Sequence, residues 1–174
     1  ITNLLIERDQ IDTKTAEFVA RASGGHIGRA RRLATDLNAR QSREKILKLP
    51  LMIKDVSSAY KNISIEFGGV DILISNAGIA SSAPVEDTTL AMWNKNMDIL
   101  STGYFLVSRD FFRLMRAQNL DGSVVFVASK NGLAASPNAS AYCTAKASEI
   151  HLARCLTLEG AEAGIRVNVV NTDA

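Results

Sequence analysis

The sequence predicts an α/β fold in which a partial parallel sheet follows a small all-α segment. Three observations carry this. The apolar, β-branched runs "VDILIS" (70–75), "SVVFVAS" (123–129) and "IRVNVV" (165–170) all lie after residue 58. Stretches with helical spacing separate them, at about 88–117 and 139–160, and strands alternating with helices argue for βαβ units and a parallel sheet. Before residue 50 the apolar period is helical throughout, with no strand pattern.

Taken in order, Asp12 and Thr13 are cap-type residues ahead of "KTAEFVARA", where Ala16, Val19 and Ala20 recur at helical spacing and "SGG" ends the run. A second helix is expected from Ile27 to Leu49, before Pro50, with Ile27, Ala30, Leu33, Ala34 and Leu37 as its apolar stripe. Its other faces carry Arg29, Arg31, Arg32, Arg40, Arg43, Lys45 and Lys48. "KDVSSAY" (54–60) reads as the junction, dividing the chain into 1–57 and 58–174. Beyond it, Gly68-Gly69, Gly78, Gly122 and Gly164 stand at the joints between strands and helices.

The composition sets limits. Of 174 residues 47% are hydrophobic, enough for a packed core rather than disorder. No apolar run approaches the ~20 residues of a membrane span, and "ITNLLIERD" has no signal-peptide pattern. The first residue is Ile rather than Met, which predicts a fragment or a processed form. Cys143 and Cys155 share one predicted helix about 18 Å apart, too far for a disulfide, so reduced thiols and a cytoplasmic location are expected. Net charge is +2, but residues 1–61 hold twelve Lys and Arg against seven Asp and Glu, and the remainder eight against eleven. That change of sign predicts two pieces of different character. His26 and His151 have no second ligand at metal spacing, so no metal site is expected. Met92, Met97 and Met115 read as packing residues, and Asn94 and Asn96 as solvated helix residues.

Tyr142 and Lys146 are one helical turn apart and share a face. An ammonium ~6 Å from a phenol favours the phenolate by about 3 kcal/mol at an effective dielectric near 20, which suits a general acid or base. Ser129 ends one buried strand, and Asn76, Ala77 and Gly78 follow another. The carboxyl ends of parallel strands are where ligand-binding groups collect.

"NAG" (76–78), Ser129, "YCTAK" (142–146) and "IRVNVVN" (165–171) stand in the order and spacing of the short-chain dehydrogenase/reductase family, which residues 62–174 resemble. The resemblance implies a Rossmann-like sheet and hydride transfer between NAD or NADP (NAD favoured) and a small hydroxy-aldehyde or alcohol. It implies Tyr142 as acid/base, Ser129 as the hydrogen-bond partner of the substrate oxygen, and Lys146 as ligand of the nicotinamide ribose. Asn76, Ala77 and Gly78 would wall the cofactor pocket together with Tyr142 and Lys146. Within the family, "SNAGIASSAPVEDTTLAMWNKNMDILSTGYFLVSRD" and "FVASKNGLAASPNASAYCTAKASEIHLARCLTLEG" look closest to the dehydrogenase half of bifunctional rhamnulose-1-phosphate aldolase/lactaldehyde dehydrogenases. One departure stands out: Leu100 occupies the place of the family's asparagine, whose bound water continues the proton path from the lysine.

"GGHIGRA" imitates a dinucleotide phosphate loop, with Gly24, Gly28 and Ala30 in the glycine places. Such a loop must follow a strand, and the preceding "KTAEFVARAS" is helical. Residues 1–60 are instead similar to the small helical lid of the bacterial DNA polymerase III delta-prime subunit, an AAA+ clamp-loader protein, with Gly28 and Arg29 opening the sensor-2 helix. That resemblance implies a non-catalytic replication module, with clamp-loader subunits or DNA as partners of the basic helix. The combined expectation is a composite chain whose reductase part keeps its catalytic set, lacks its phosphate-binding half and is inactive alone. Its exposed apolar faces would favour a homo-oligomer or aggregation.

Overall fold

The structure, a computed structural model, describes residues 1–52 and 54–172. The chain divides into two compact units, Ile1–Ile53 and Lys54–Ala174.

The first unit consists of α1 (Thr2–Glu7), α2 (Thr13–Ala22), α3 (Ile27–Thr35) and α4 (Leu37–Met52). Leu5, Ala16, Val19, Ala30, Leu33 and Ala34 form its core. Half of these are alanines, whose small side chains let the helices approach closely. The Asp12 side chain accepts from the Thr15 amide at 2.9 Å and starts α2; these hydrogen bonds hold its carboxyl below the usual range.

The single helix expected from Ile27 to Leu49 is two. Asp36 adopts extended backbone, and its carboxylate accepts from the Ala39 amide at 3.1 Å, capping α4 afresh. An aspartate in mid-pattern that can cap outweighs the continuity of the apolar stripe. α4 then runs on to Met52, past the proline that the sequence reads as its end.

The second unit begins with a capping box. The Asp55 carboxylate accepts from the Ser58 amide at 2.7 Å while the Ser58 hydroxyl accepts from the Asp55 amide at 3.0 Å. This starts α5 (Val56–Phe67), which ends on Gly68 in the left-handed region at φ 81°. The units therefore divide before this cap, and a break after residue 57 would fall inside α5. The sheet follows as β1 (Ile72–Ser75), β2 (Gly122–Ser129) and β3 (Ile165–Thr172), parallel and in the order β1-β2-β3.

Between β1 and β2, the expected helix over 88–117 is three pieces: α6 (Leu90–Asn96), a π-helical turn (Met97–Thr102) and α7 (Gly103–Gln118). Between β2 and β3 runs α8 (Ser140–Gly160). The core joins Tyr104, Phe111, Phe112 and Met115 of α7 to Val124 and Phe126 of β2, Ala153 and Leu156 of α8, and Ile165 and Val167 of β3. The Tyr104 and Phe126 rings meet edge-to-face at 5.0 Å between centroids. Ile72 and Ile74 of β1 are exposed. Register sets Ser129 opposite Thr172, so β2 and β3 end together, while Ser75 at the end of β1 stands opposite Phe126, three residues before Ser129.

Candidate active site

At the carboxyl edge of the sheet the loop after β2 is drawn onto α8. Ser129 ends the strand, and its hydroxyl accepts from the Asn131 amide at 3.2 Å, capping a short 3₁₀ turn. A hydroxyl that accepts in this way keeps its proton to donate. Gly132, in the same turn, lies so close to α8 that a Cβ would fall 2.7 Å from the Lys146 carbonyl oxygen and 2.6 Å from Ile150 Cδ1. Backbone cannot yield as a flexible side chain can. Gly132→Ala is expected to cost about 1–3 kcal/mol by overpacking, measured by urea unfolding followed on Trp93, the sole tryptophan.

Tyr142 lies in the first turn of α8, half-buried, and Lys146 one turn further, only 5% exposed. Lys146 Nζ stands 6.0 Å from the Tyr142 ring centroid and 5.7 Å from that of Tyr104. It donates to the Val127 carbonyl at 3.3 Å and to Glu149 Oε2 at 3.0 Å. Glu149 is 0% exposed, and its other oxygen, Oε1, is buried without a hydrogen-bond partner. Burial pushes the Glu149 carboxyl up to about 7, against the opposing pull of the Lys146 ammonium. Tyr104 donates to the same Val127 carbonyl at 3.2 Å; burial and then the Glu149 charge push its phenol up to about 12, while a hydrogen bond with Ser75 opposes them.

Asn76, Ala77 and Gly78 are exposed beyond β1. A Cβ on Gly78 would sit 3.6 Å from Leu100 Cδ2 and 3.9 Å from Lys146 Nζ, so the "NAG" turn, the π-helical turn and the lysine adjoin one another. Beside Tyr142, a groove is lined by Pro84, Glu86, Ser136, Ser140, Cys143 and Thr144. The Ala83 amide, donating to the Asn138 carbonyl at 2.8 Å, ties its two walls.

The structure thus places all six sequence-predicted site residues at the carboxyl edge of the sheet or on the helix that packs there. Two residues of the site escape sequence reasoning, Tyr104 and Glu149. Glu149 lies three places after Lys146 on the inward stripe Ala145, Ile150, Ala153 and Leu156, and an acid on an inward stripe is the signal that could have revealed it. Asn96 corrects an expectation: it is 1% exposed rather than solvated, and its amide donates to Ser81 Oγ at 2.7 Å and to the Met92 carbonyl at 2.8 Å. Asn94 is exposed. The face that a helical residue presents depends on what packs over it, here the segment bearing Ser81.

Residues 23–28 make a helix-to-helix turn. Gly24 and Gly25 take φ 58° and 85°, and His26 Nδ1 accepts from the Arg29 amide at 3.2 Å, capping α3. The arginines nearby have local partners: Arg31 forks onto both Asp9 carboxylate oxygens at 2.7 and 3.1 Å, and Arg29 donates to the Ser23 carbonyl at 3.4 Å. Among the described residues no group of three His, Cys, Asp or Glu is placed to hold a metal, and no helix is long and apolar enough to cross a membrane.

A parallel sheet with a serine at the end of one strand, a glycine turn after its neighbour, and a tyrosine and lysine one turn apart on the crossover helix is an arrangement of the Rossmann-like α/β class. Residues 14–174 match the family model for short chain dehydrogenases, and the chain belongs to that family. It is 45% identical over 163 residues to the uncharacterized oxidoreductase YuxG of Bacillus subtilis, covering 88% of this chain and 24% of that protein. With sorbitol-6-phosphate 2-dehydrogenase of Escherichia coli it shares 37% identity over 102 residues, 59% of this chain and 39% of the relative. The crystal structure of sorbitol-6-phosphate 2-dehydrogenase SrlD from Erwinia amylovora superposes with a TM-score of 0.65 at 32% identity, over 67% of this chain and 45% of that one. The chain therefore spans less than half the length of these relatives. The family match starts at Lys14, inside the helical unit, so most of that unit falls within the same family. Nothing in these comparisons supports a clamp-loader lid or a composite chain.

Proposed function

We propose that the chain forms the substrate- and nicotinamide-facing part of an NAD(P)-dependent oxidoreductase acting on a small hydroxy-aldehyde or alcohol. The observation that carries this is the placement of Tyr142 and Lys146 on one face of α8, 6.0 Å apart, at the carboxyl edge of the sheet. Tyr142 gives a proton to a substrate carbonyl oxygen, or takes one from an alcohol. Ser129 donates its free proton to the same oxygen and holds it in place. Lys146 favours the phenolate electrostatically and is the residue to bind the nicotinamide ribose, against a wall of Asn76, Ala77 and Gly78. Bound there, a nicotinamide would supply or accept the hydride.

The donor set fits the ribose end of the cofactor, because an ammonium and a glycine turn meet there. At the pyrophosphate end the described residues do not fit: the glycine-rich stretch 23–28 joins two helices instead of leading from a strand into one. We therefore read the chain on its own as inactive. By the stated subgroup resemblance the preferred cofactor is NAD and the substrate lactaldehyde. The two free cysteines fit a reducing compartment such as the cytosol.

Reduced nicotinamide mononucleotide, titrated to the millimolar range in which weak ligands register, is expected to shift the NMR resonances of Gly78, Ser129, Tyr142 and Lys146 and to leave residues 1–53 unmoved. Shifts confined elsewhere would overturn the site. With lactaldehyde, NADH and the chain in excess, no hydride transfer is expected, and turnover that disappears in Tyr142→Phe would refute inactivity.

A further inference from the structure

The buried Lys146–Glu149 pair does more than a structural ion pair requires. A counter-ion can pair with any side of a lysine ammonium, whichever way that ammonium faces. This one holds the ammonium that faces Tyr142, and it is the only carboxylate paired with that ammonium among the described residues. On the Gly78 side the neighbour is Leu100, buried and apolar, which offers no acceptor. What remains to hold Lys146 Nζ in place is the Glu149 carboxylate and the Val127 carbonyl. Glu149 is itself poorly supported: one oxygen faces Lys146 and the other has no partner. Its charged form is sustained by the ammonium and opposed by complete burial, so both protonation states lie within reach.

We propose that Glu149 is a positioning residue that fixes Lys146 and sets the charge it presents to Tyr142. With Glu149 protonated, Tyr142 senses a full ammonium charge; with Glu149 ionised, it senses a compensated pair. This rests on Tyr142 being the acid/base of the proposed reaction. An ionised carboxylate 3.0 Å from Nζ offsets part of the ammonium's attraction for a phenolate by Coulomb's law. The uncharged state of Glu149 is thus the state that favours the phenolate.

The other ionisable side chains facing the pair are Tyr142, on the same helix, and Tyr104 from α7. From β2 comes the Val127 carbonyl, from β1 the Ser75 hydroxyl by way of Tyr104, and from the π-helical turn Leu100. Among the remaining charged groups on elements packed against α8, Lys95, Asp98, Lys130 and Arg166 are exposed, as are Arg113 and Arg116 of α7, while the buried Asp110 of α7 is paired with Arg109 and Arg113.

The test is an NMR titration of the full chain, ¹³C-labelled at Glu, Lys and Tyr, through the neutral range. The Glu149 carboxyl, the Lys146 side chain and the Tyr142 ring carbons are expected to inflect with one common midpoint. In Glu149→Gln that inflection should vanish from both Lys146 and Tyr142, and in Glu149→Asp it should return at a displaced midpoint. If the carboxyl titrates while the Tyr142 ring carbons stay flat through its midpoint, Glu149 is a structural counter-ion and the proposal fails. The wild-type titration decides this alone, even where a variant does not fold. No turnover is needed, so failure of the oxidoreductase reading shows separately, as absence of the nicotinamide-induced shifts at Tyr142 and Lys146.

Discussion

Lys146→Met is expected to destabilise the unit Lys54–Ala174 by about 3–5 kcal/mol at pH 8, as removal of one partner from a buried ion pair does. The physical reason is the carboxylate left behind. Glu149 is wholly buried, one of its oxygens already lacks a partner, and the lysine supplies the positive charge that compensates it. The penalty should shrink as pH falls, because the carboxyl escapes by taking up a proton. A double variant, Lys146→Met with Glu149→Leu, removes both charges and should recover most of the loss, since well-packed apolar replacements of buried pairs are often neutral. Urea unfolding of the single and double variants, followed on Trp93, measures both quantities. A single variant as stable as wild type at pH 8 would show that water reaches the carboxylate.

The second large effect is a dependence of stability on pH. Folding raises the Glu149 carboxyl from 4.5 to about 7. A folded state that holds its proton more tightly than the unfolded chain gains stability at low pH. That gain is fully present below about 4.5 and is lost as pH rises to about 7. The loss amounts to about 3 kcal/mol at 1.36 kcal/mol per pH unit. Asp110 acts in the opposite sense: hydrogen bonds and charge from Arg109, Ser57 and Arg113 outweigh its burial and hold its carboxyl below the usual range. Its contribution is present above the ordinary carboxylate range and fades in acid. Glu149→Gln should therefore flatten the stability profile between pH 4.5 and 7 while leaving the acid limb in place. Equal slopes in wild type and variant would place the Glu149 proton outside this window.

Much of the fold can be read in the sequence because it is written locally. The three strand runs are short, apolar and bounded by glycine, and a strand forms at each: β1 lies inside its run, β2 starts one residue before its run and β3 extends two residues past its run. α8 begins and ends where the pattern around Tyr142 and Lys146 predicts. Breaks within the helical segments are not legible in the same way. The break at Asp36 and the π-helical turn at Met97–Thr102 each interrupt an apolar stripe that continues across them. Period alone does not register a break that preserves the buried face. Family membership follows from the "NAG", Ser129 and "YCTAK" pattern. The clamp-loader likeness of residues 1–60 has only a short Gly-Arg motif, and the structure uses Gly28 and Arg29 in an ordinary helix start capped by His26.

What the sequence by itself determined is the placement of the candidate site groups: Tyr142 and Lys146 one turn apart, Ser129 at a strand end and a glycine turn at Asn76–Gly78. Spacing along a helix or strand fixes such neighbours because backbone geometry is local. Tertiary structure alone decided their surroundings. It buried Glu149 behind Lys146, set Tyr104 and Lys146 on one Val127 carbonyl, sealed Asn96 beneath the Ser81 segment and pressed Gly132 onto α8. Burial and long-range contact depend on which elements pack together, and that is a property of the whole sheet and its helices rather than of any one stretch of chain.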